Sequence, residues 1–125
     1  PLLRYACMIN GISSLVVTKL DVLDDLAEIP VCVGYKVKGK KTSEIPPDAA
    51  GYEKLECVYR KMPGWRTSTR AVKSWEKLPA KARVYLTFLA KETGARIAMV
   101  STGPERDQTI QLEAPAGTRR QRTRR

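Results

Sequence analysis

Histidine is absent from this chain of 125 residues, so the side chain most often used as a general acid near neutral pH has no representative. Long apolar runs are absent too. A bilayer span needs roughly 20 consecutive apolar residues, and the uninterrupted stretches here are only a few residues long, so the chain reads as soluble. Cysteine is scarce: Cys7, Cys32 and Cys57 stand far apart among apolar neighbours. An odd, dispersed set fits buried thiols in a reducing compartment, with the cytoplasm as default, rather than disulfides or a metal site. The sequence opens on PLLRYACMINGI, with neither an initiator methionine nor a charged segment ahead of a long apolar stretch. No targeting peptide is visible, and the start reads as cut into.

Acidic residues are outnumbered, 13 against 23 basic ones, for a formal charge of +10. Five arginines, Arg119, Arg120, Arg122, Arg124 and Arg125, lie in the last nine residues, and without them the charge falls to +5. A mildly basic fold suits phosphate-bearing ligands as well as a polyanion. The stretch 113–125 has no apolar residue after Ala116 and is expected to be a disordered basic tail. Residues 1–112 are then a single domain with a modest core, given 42% hydrophobic residues over the chain.

Leu2, Leu3, Ala6 and Ile9 recur at helical spacing up to the turn pair Asn10-Gly11. Leu15, Val16 and Val17 form a short continuous apolar run, as buried parallel strands do. Asp21 is placed to cap a helix whose apolar face is Val22, Leu23, Leu26 and Ile29 and which Pro30 ends. The pattern then switches to period two over Val31–Val37, a half-buried strand that Gly39 turns into a hairpin. Pro46-Pro47-Asp48 signals a short helix reaching about Glu56, and Met62-Pro63-Gly64-Trp65 forces a turn. Pro79 opens the longest helix, with Ala82, Tyr85, Leu86 and Leu89 on one side and Gly94 as its stop. A strand over Arg96–Val100 ends at Ser101-Thr102-Gly103-Pro104, and a short extended piece follows near Ile110. Strands alternating with helices predict an α/β fold with a mostly parallel sheet covered by helices, in which ligands lie beyond the carboxyl ends of the strands. If the strands ending at Val17 and Val100 are neighbours, the turns Thr18–Asp21 and Ser101–Gly103 open on one edge.

Lys-x-Asp after a buried strand carries specific chemistry. Guanine offers two adjacent donors, N1–H and the exocyclic amine, to which one carboxylate bonds bidentately, so Asp21 is suited to read that edge. Adenine lacks both donors there and leaves the carboxylate unpaired, a strong discrimination. Lys19 can lay its methylenes along the base while its ammonium stays wet, and Thr18 can hold the turn. An isolated Lys-x-Asp reads first as a helix N-cap, and the two roles are compatible. In the second turn the Ser101 hydroxyl and a backbone N–H near Gly103 can reach the guanine O6, glycine permitting close approach.

The strings SLVVTKLDVLDDLAEIPVCVGYKVKGKK, MPGW and STGPERDQTI stand in the order and spacing of the C-terminal quarter of adenylosuccinate synthetases, and the chain resembles that family over about residues 2–112. The resemblance implies a P-loop-NTPase-like sheet truncated at its N-terminus. Lys19, Leu20 and Asp21 would form one side of a GTP base site, and Ser101, Thr102 and Gly103 the other. It implies a homodimeric GTP-dependent ligase of AMP biosynthesis joining IMP to L-aspartate, with GTP as co-substrate and Mg²⁺ on its phosphates. The family's Asp base, His acid, phosphate loop, aspartate-gripping loop and Mg²⁺ ligands belong to parts outside this sequence, so no catalytic or metal residue is assigned. The isolated segment is expected to be inactive.

Other features are assigned no site. Trp65 beside Pro-Gly reads as a packing anchor rather than as part of a basic-aromatic nucleic-acid surface with Arg66, Arg70, Lys73 and Trp75. Arg4, Arg66 and Arg70 are not drafted in for the missing aspartate loop. Asp24, Asp25 and Glu28 are explained by the dipole of the expected helix, and Arg106 and Asp107 stay unassigned. The alternative function is a small basic RNA-binding module, motivated by the +10 charge and the terminal arginines, whose binding would be steeply salt-dependent.

Overall fold

A computed structural model of the chain describes residues 1–44 and 53–112. The expected basic tail and most of the expected helix at 46–56 lie outside these residues. Helix α1 (Leu2–Asn10) stops at Gly11, whose left-handed backbone (φ 62°) lets the Ile12 amide donate to the Cys7 carbonyl at 2.9 Å. Strand β1 (Ser14–Val17) follows, then a 3-10 turn at Leu20–Leu23. Next come β2 (Glu28–Val37), β3 (Lys40–Thr42) and β4 (Leu55–Pro63). A second 3-10 turn, Trp75–Lys77, precedes helix α2 (Ala80–Thr93), which Gly94 closes with φ 72°. Strands β5 (Arg96–Ser101) and β6 (Thr109–Gln111) complete the described chain.

The strands form two three-stranded sheets, ordered β1-β5-β6 and β3-β2-β4. Among the described residues only β1 and β5 run parallel, with Val17 beside Val100; β5–β6, β2–β3 and β2–β4 are antiparallel. The expected mostly parallel sheet is therefore corrected, among the described residues, to a mixed arrangement in an α/β fold. The helix expected over 21–29 is corrected as well. Its second half is drawn into the long ladder that pairs Glu28 with Pro63 and Val37 with Leu55, leaving room only for a single 3-10 turn. Pro30 sits inside β2 opposite Lys61 and is tolerated because β3 pairs only with Tyr35–Val37, so the Pro30 end has a partner on one side alone. The expected helix end at Leu55 and Glu56 is in fact the start of β4.

A core built from Leu20, Ile29, Trp65, Leu78, Ala82, Leu86, Ile97, Val100 and Ile110 joins β5 and β6 to α2, with Leu15 and Val17 of β1 packed against it. Ala82 and Leu86 are fully buried, as the helical spacing requires. Helix α1 differs: Leu2, Leu3, Met8 and Ile9 are exposed, and Cys7 is its buried side chain. The thiols diverge from the expectation too, since Cys32 is half-buried and Cys57 is exposed on β4. No helix among the described residues is long and apolar enough to cross a membrane.

Candidate functional site

Because β1 and β5 are parallel neighbours that end together at Val17 and Val100, the turns beginning at Thr18 and Ser101 leave the sheet on the same edge. The first turn is held from below. Leu20 is 1% exposed in the core, while Lys19, next to it, is exposed and adopts a left-handed backbone (φ 57°), which costs about 1 kcal/mol for a non-glycine residue. The buried leucine thus fixes a reversal that leaves Lys19 exposed and Asp21 half-buried.

Asp21 does not cap a helix; the N-cap position of the 3-10 turn is Lys19. Its side chain is 9% exposed, and Oδ2 accepts a hydrogen bond from Arg70 Nε at 3.2 Å. Asp24, one 3-10 turn later, is buried rather than a solvated dipole partner. Its Oδ1 accepts from Trp65 Nε1 (2.7 Å) and from the Thr69 hydroxyl (2.9 Å), and its Oδ2 from the Thr69 backbone N–H (2.7 Å). Three donors from one segment satisfy a carboxylate that burial would otherwise penalise by several kcal/mol. Trp65 is the packing anchor expected of it, 6% exposed and 5.9 Å from the Tyr85 ring. Burial lifts the Tyr85 hydroxyl above its ordinary pKa. Gly64 closes the same corner, donating to the Ala27 carbonyl at 2.8 Å so tightly that a Cβ there would overlap the Leu26 carbonyl.

The second turn is closed on itself. The Thr102 amide donates to the Gln108 carbonyl at 2.8 Å, and the Thr102 hydroxyl lies 3.1 Å from that carbonyl and 3.3 Å from the carbonyl of Val72. The Gln108 amide donates to Glu105 O at 3.0 Å, and Gln108 Oε1 accepts from Glu105 N–H at 3.1 Å. The Gln108 side chain lies so near Gly103 that a Cβ there would overlap it. Ser101 Oγ donates to the Gly103 carbonyl at 2.7 Å. Asp107 pairs with Lys73 at 2.8 Å rather than with its neighbour Arg106, and that hydrogen bond and charge hold its carboxyl below the ordinary range.

Of the six residues singled out in sequence, Leu20 and Thr102 have side chains wholly inside, so their contact with a ligand is restricted to the backbone. Lys19, Asp21, Ser101 and Gly103 lie on the two turns at the shared edge. The sequence reading missed the connecting segment Trp65–Lys77. It reaches the first turn through Trp65, Thr69 and Arg70, and the second through Val72 and Lys73. MPGW located its start; nothing in the spacing links Arg70 to Asp21 across 49 positions. Among the described residues no group of three or more His, Cys, Asp or Glu side chains converges as metal ligands, and Asp21 and Asp24 are engaged as above.

The family model for adenylosuccinate synthetase matches residues 1–110. The adenylosuccinate synthetase of Koribacter versatilis is 53% identical over 114 residues, covering 91% of this chain and 26% of the relative. That of Solibacter usitatus is 53% identical over 110 residues, covering 88% and 25%. A solved structure, the fully ligated adenylosuccinate synthetase of Plasmodium falciparum, superposes with a TM-score of 0.84 at 32% identity, over 90% of this chain and 28% of that one. The chain thus spans about a quarter of the length of the relatives it matches. On this agreement of sequence and fold, the chain belongs to the adenylosuccinate synthetase family.

Proposed function

We propose that residues 1–112 are the C-terminal, guanine-binding part of a P-loop-like, GTP-dependent ligase that joins IMP and L-aspartate into adenylosuccinate, with release of GDP and phosphate. The observation that carries this reading is the pair of turns on one sheet edge, with the nearly buried Asp21 carboxylate on the first. Asp21 accepts from guanine N1–H and the exocyclic amine, Lys19 covers a face of the base with its methylenes, and the Ser101–Gly103 turn meets O6. Ser101 Oγ gives up its short bond to Gly103 O when it turns to the ligand.

The chemistry runs elsewhere in the whole protein. The IMP 6-oxygen takes the γ-phosphoryl group of GTP, and the aspartate amine then displaces phosphate at that carbon. This segment has no histidine to serve as acid, and Mg²⁺ and the phosphate-binding groups come from the remainder. Residues 1–112 select the nucleotide. The full-length protein is expected to form adenylosuccinate from IMP, aspartate and GTP, far faster with GTP than with ATP, whereas residues 1–125 alone form none. Turnover by the isolated segment, or equal rates with ATP in the full-length protein, would overturn the proposal.

A further inference from the structure

We infer that Arg70 is a positioning residue that sets the Asp21 carboxylate for its nucleobase, an assignment that rests on the guanine reading above. In a 3-10 turn side chains three apart eclipse one another, so Asp21 and Asp24 stand in register on one face of Leu20–Leu23. The two consecutive residues Thr69 and Arg70 meet them. Thr69, fully buried, donates its amide and hydroxyl to Asp24, and Arg70 donates Nε to Asp21. The Arg70 amide is itself taken by Ser68 Oγ at 3.3 Å. The backbone that carries the guanidinium is thereby tied to the turn that carries the carboxylate, and the two cannot drift apart without breaking the buried Asp24 contacts.

The stoichiometry leaves room for a base. A carboxylate offers about four lone-pair positions; Arg70 Nε occupies one on Oδ2, and guanine needs one on each oxygen. Arg70 can therefore stay in place while the base is read. Its side chain is 72% exposed, against 9% for Asp21, so the guanidinium lies on the solvent side of the pair. As an exposed ion pair it adds little to folding. Its effect falls on the direction in which the Asp21 oxygens face.

The test uses the full-length enzyme with GTP and with ITP, whose hypoxanthine lacks the exocyclic amine and makes only the N1–H bond. Arg70→Ala is expected to raise KM for GTP about fivefold, equivalent to about 1 kcal/mol at 1.4 kcal/mol per tenfold, with kcat unchanged. ITP is affected less, so the GTP-over-ITP preference falls. Arg70→Lys, which keeps the charge but not the planar fork, is expected to lie between. An unchanged KM and preference, or a lower KM showing that Arg70 competes with the base, overturns the assignment. Asp21→Asn in the same enzyme separates the two ideas. If it shifts nucleotide preference while Arg70→Ala does not, the base reading stands and the role of Arg70 falls; if neither shifts it, the base reading falls as well.

Discussion

The two turns at the sheet edge are secured in opposite ways. The first, Thr18–Asp24, is held by distant residues: Leu20 enters the core, Asp24 collects three hydrogen bonds from Trp65 and Thr69, and Gly64 closes against Leu26. The second, Ser101–Gln108, is held mostly by itself, through Gln108 bonds to Thr102 and Glu105. A turn built on tertiary contacts cannot move without disturbing the core, whereas one closed mostly by local bonds has fewer distant ties, here Thr102 to Val72 and Asp107 to Lys73. That suits the roles proposed for them, a rigid carboxylate that discriminates between bases and a more adaptable turn that meets O6.

The difference can be broken by substitution, and the largest effect is expected at Gly64. Gly64→Ala drives a methyl group into backbone, the Leu26 carbonyl, which cannot swing aside as a side chain can. A loss on the order of 3 kcal/mol is expected in denaturant unfolding of the full-length protein. Asp24→Ala comes next. It leaves the Trp65 indole N–H and the Thr69 donors without their acceptor in a buried site, at about 1–3 kcal/mol for each group that stays dry. GTP affinity should fall with stability in both variants. Gly103→Ala meets only the end of the flexible Gln108 side chain, so about 1 kcal/mol is expected, from the Glu105–Gln108 bond that is displaced. If Gly103→Ala costs more than Gly64→Ala, the contrast between the turns is reversed.

The smallest effect concerns the Lys73–Asp107 pair, which is exposed on both sides. Because the Asp107 carboxyl is held below its ordinary pKa, the pair's contribution is present above the ordinary carboxylate range and is lost as pH falls through the depressed value. Carboxyl NMR titration should place the Asp107 midpoint below the ordinary aspartate value, and Lys73→Ala should move it up toward that value. An Asp107 midpoint indifferent to Lys73 would remove the ion pair from the link between the connecting segment and the second turn, leaving the Thr102–Val72 contact.

What the sequence displayed were the features governed by local chemistry. The apolar run Leu15–Val17, the alternation over Val31–Val37, the Gly39 hairpin and the Pro79–Gly94 helix all formed where their spacing placed them. The shared edge of the two turns followed from the two apolar strands being parallel neighbours. Long-range pairing was hidden. Val22, Leu23, Leu26 and Ile29 have helical spacing, yet the β2–β4 ladder outweighs local preference there and draws Ile29 opposite Met62. β4 was concealed by its charged and exposed residues Glu56, Arg60 and Lys61, of which Arg60 lies over the Phe88 ring. Asp24 looked like a dipole partner because nothing in its neighbourhood announces Trp65 and Thr69 more than 40 positions away.

The central claim is that the Asp21 carboxylate selects the base. Asp21→Asn in the full-length enzyme, assayed with GTP and XTP, tests it most directly, because xanthine presents a C2 oxygen to which an amide can donate. The expected result is a raised KM for GTP together with a gain in activity with XTP. An unchanged KM for GTP in the asparagine variant would contradict it.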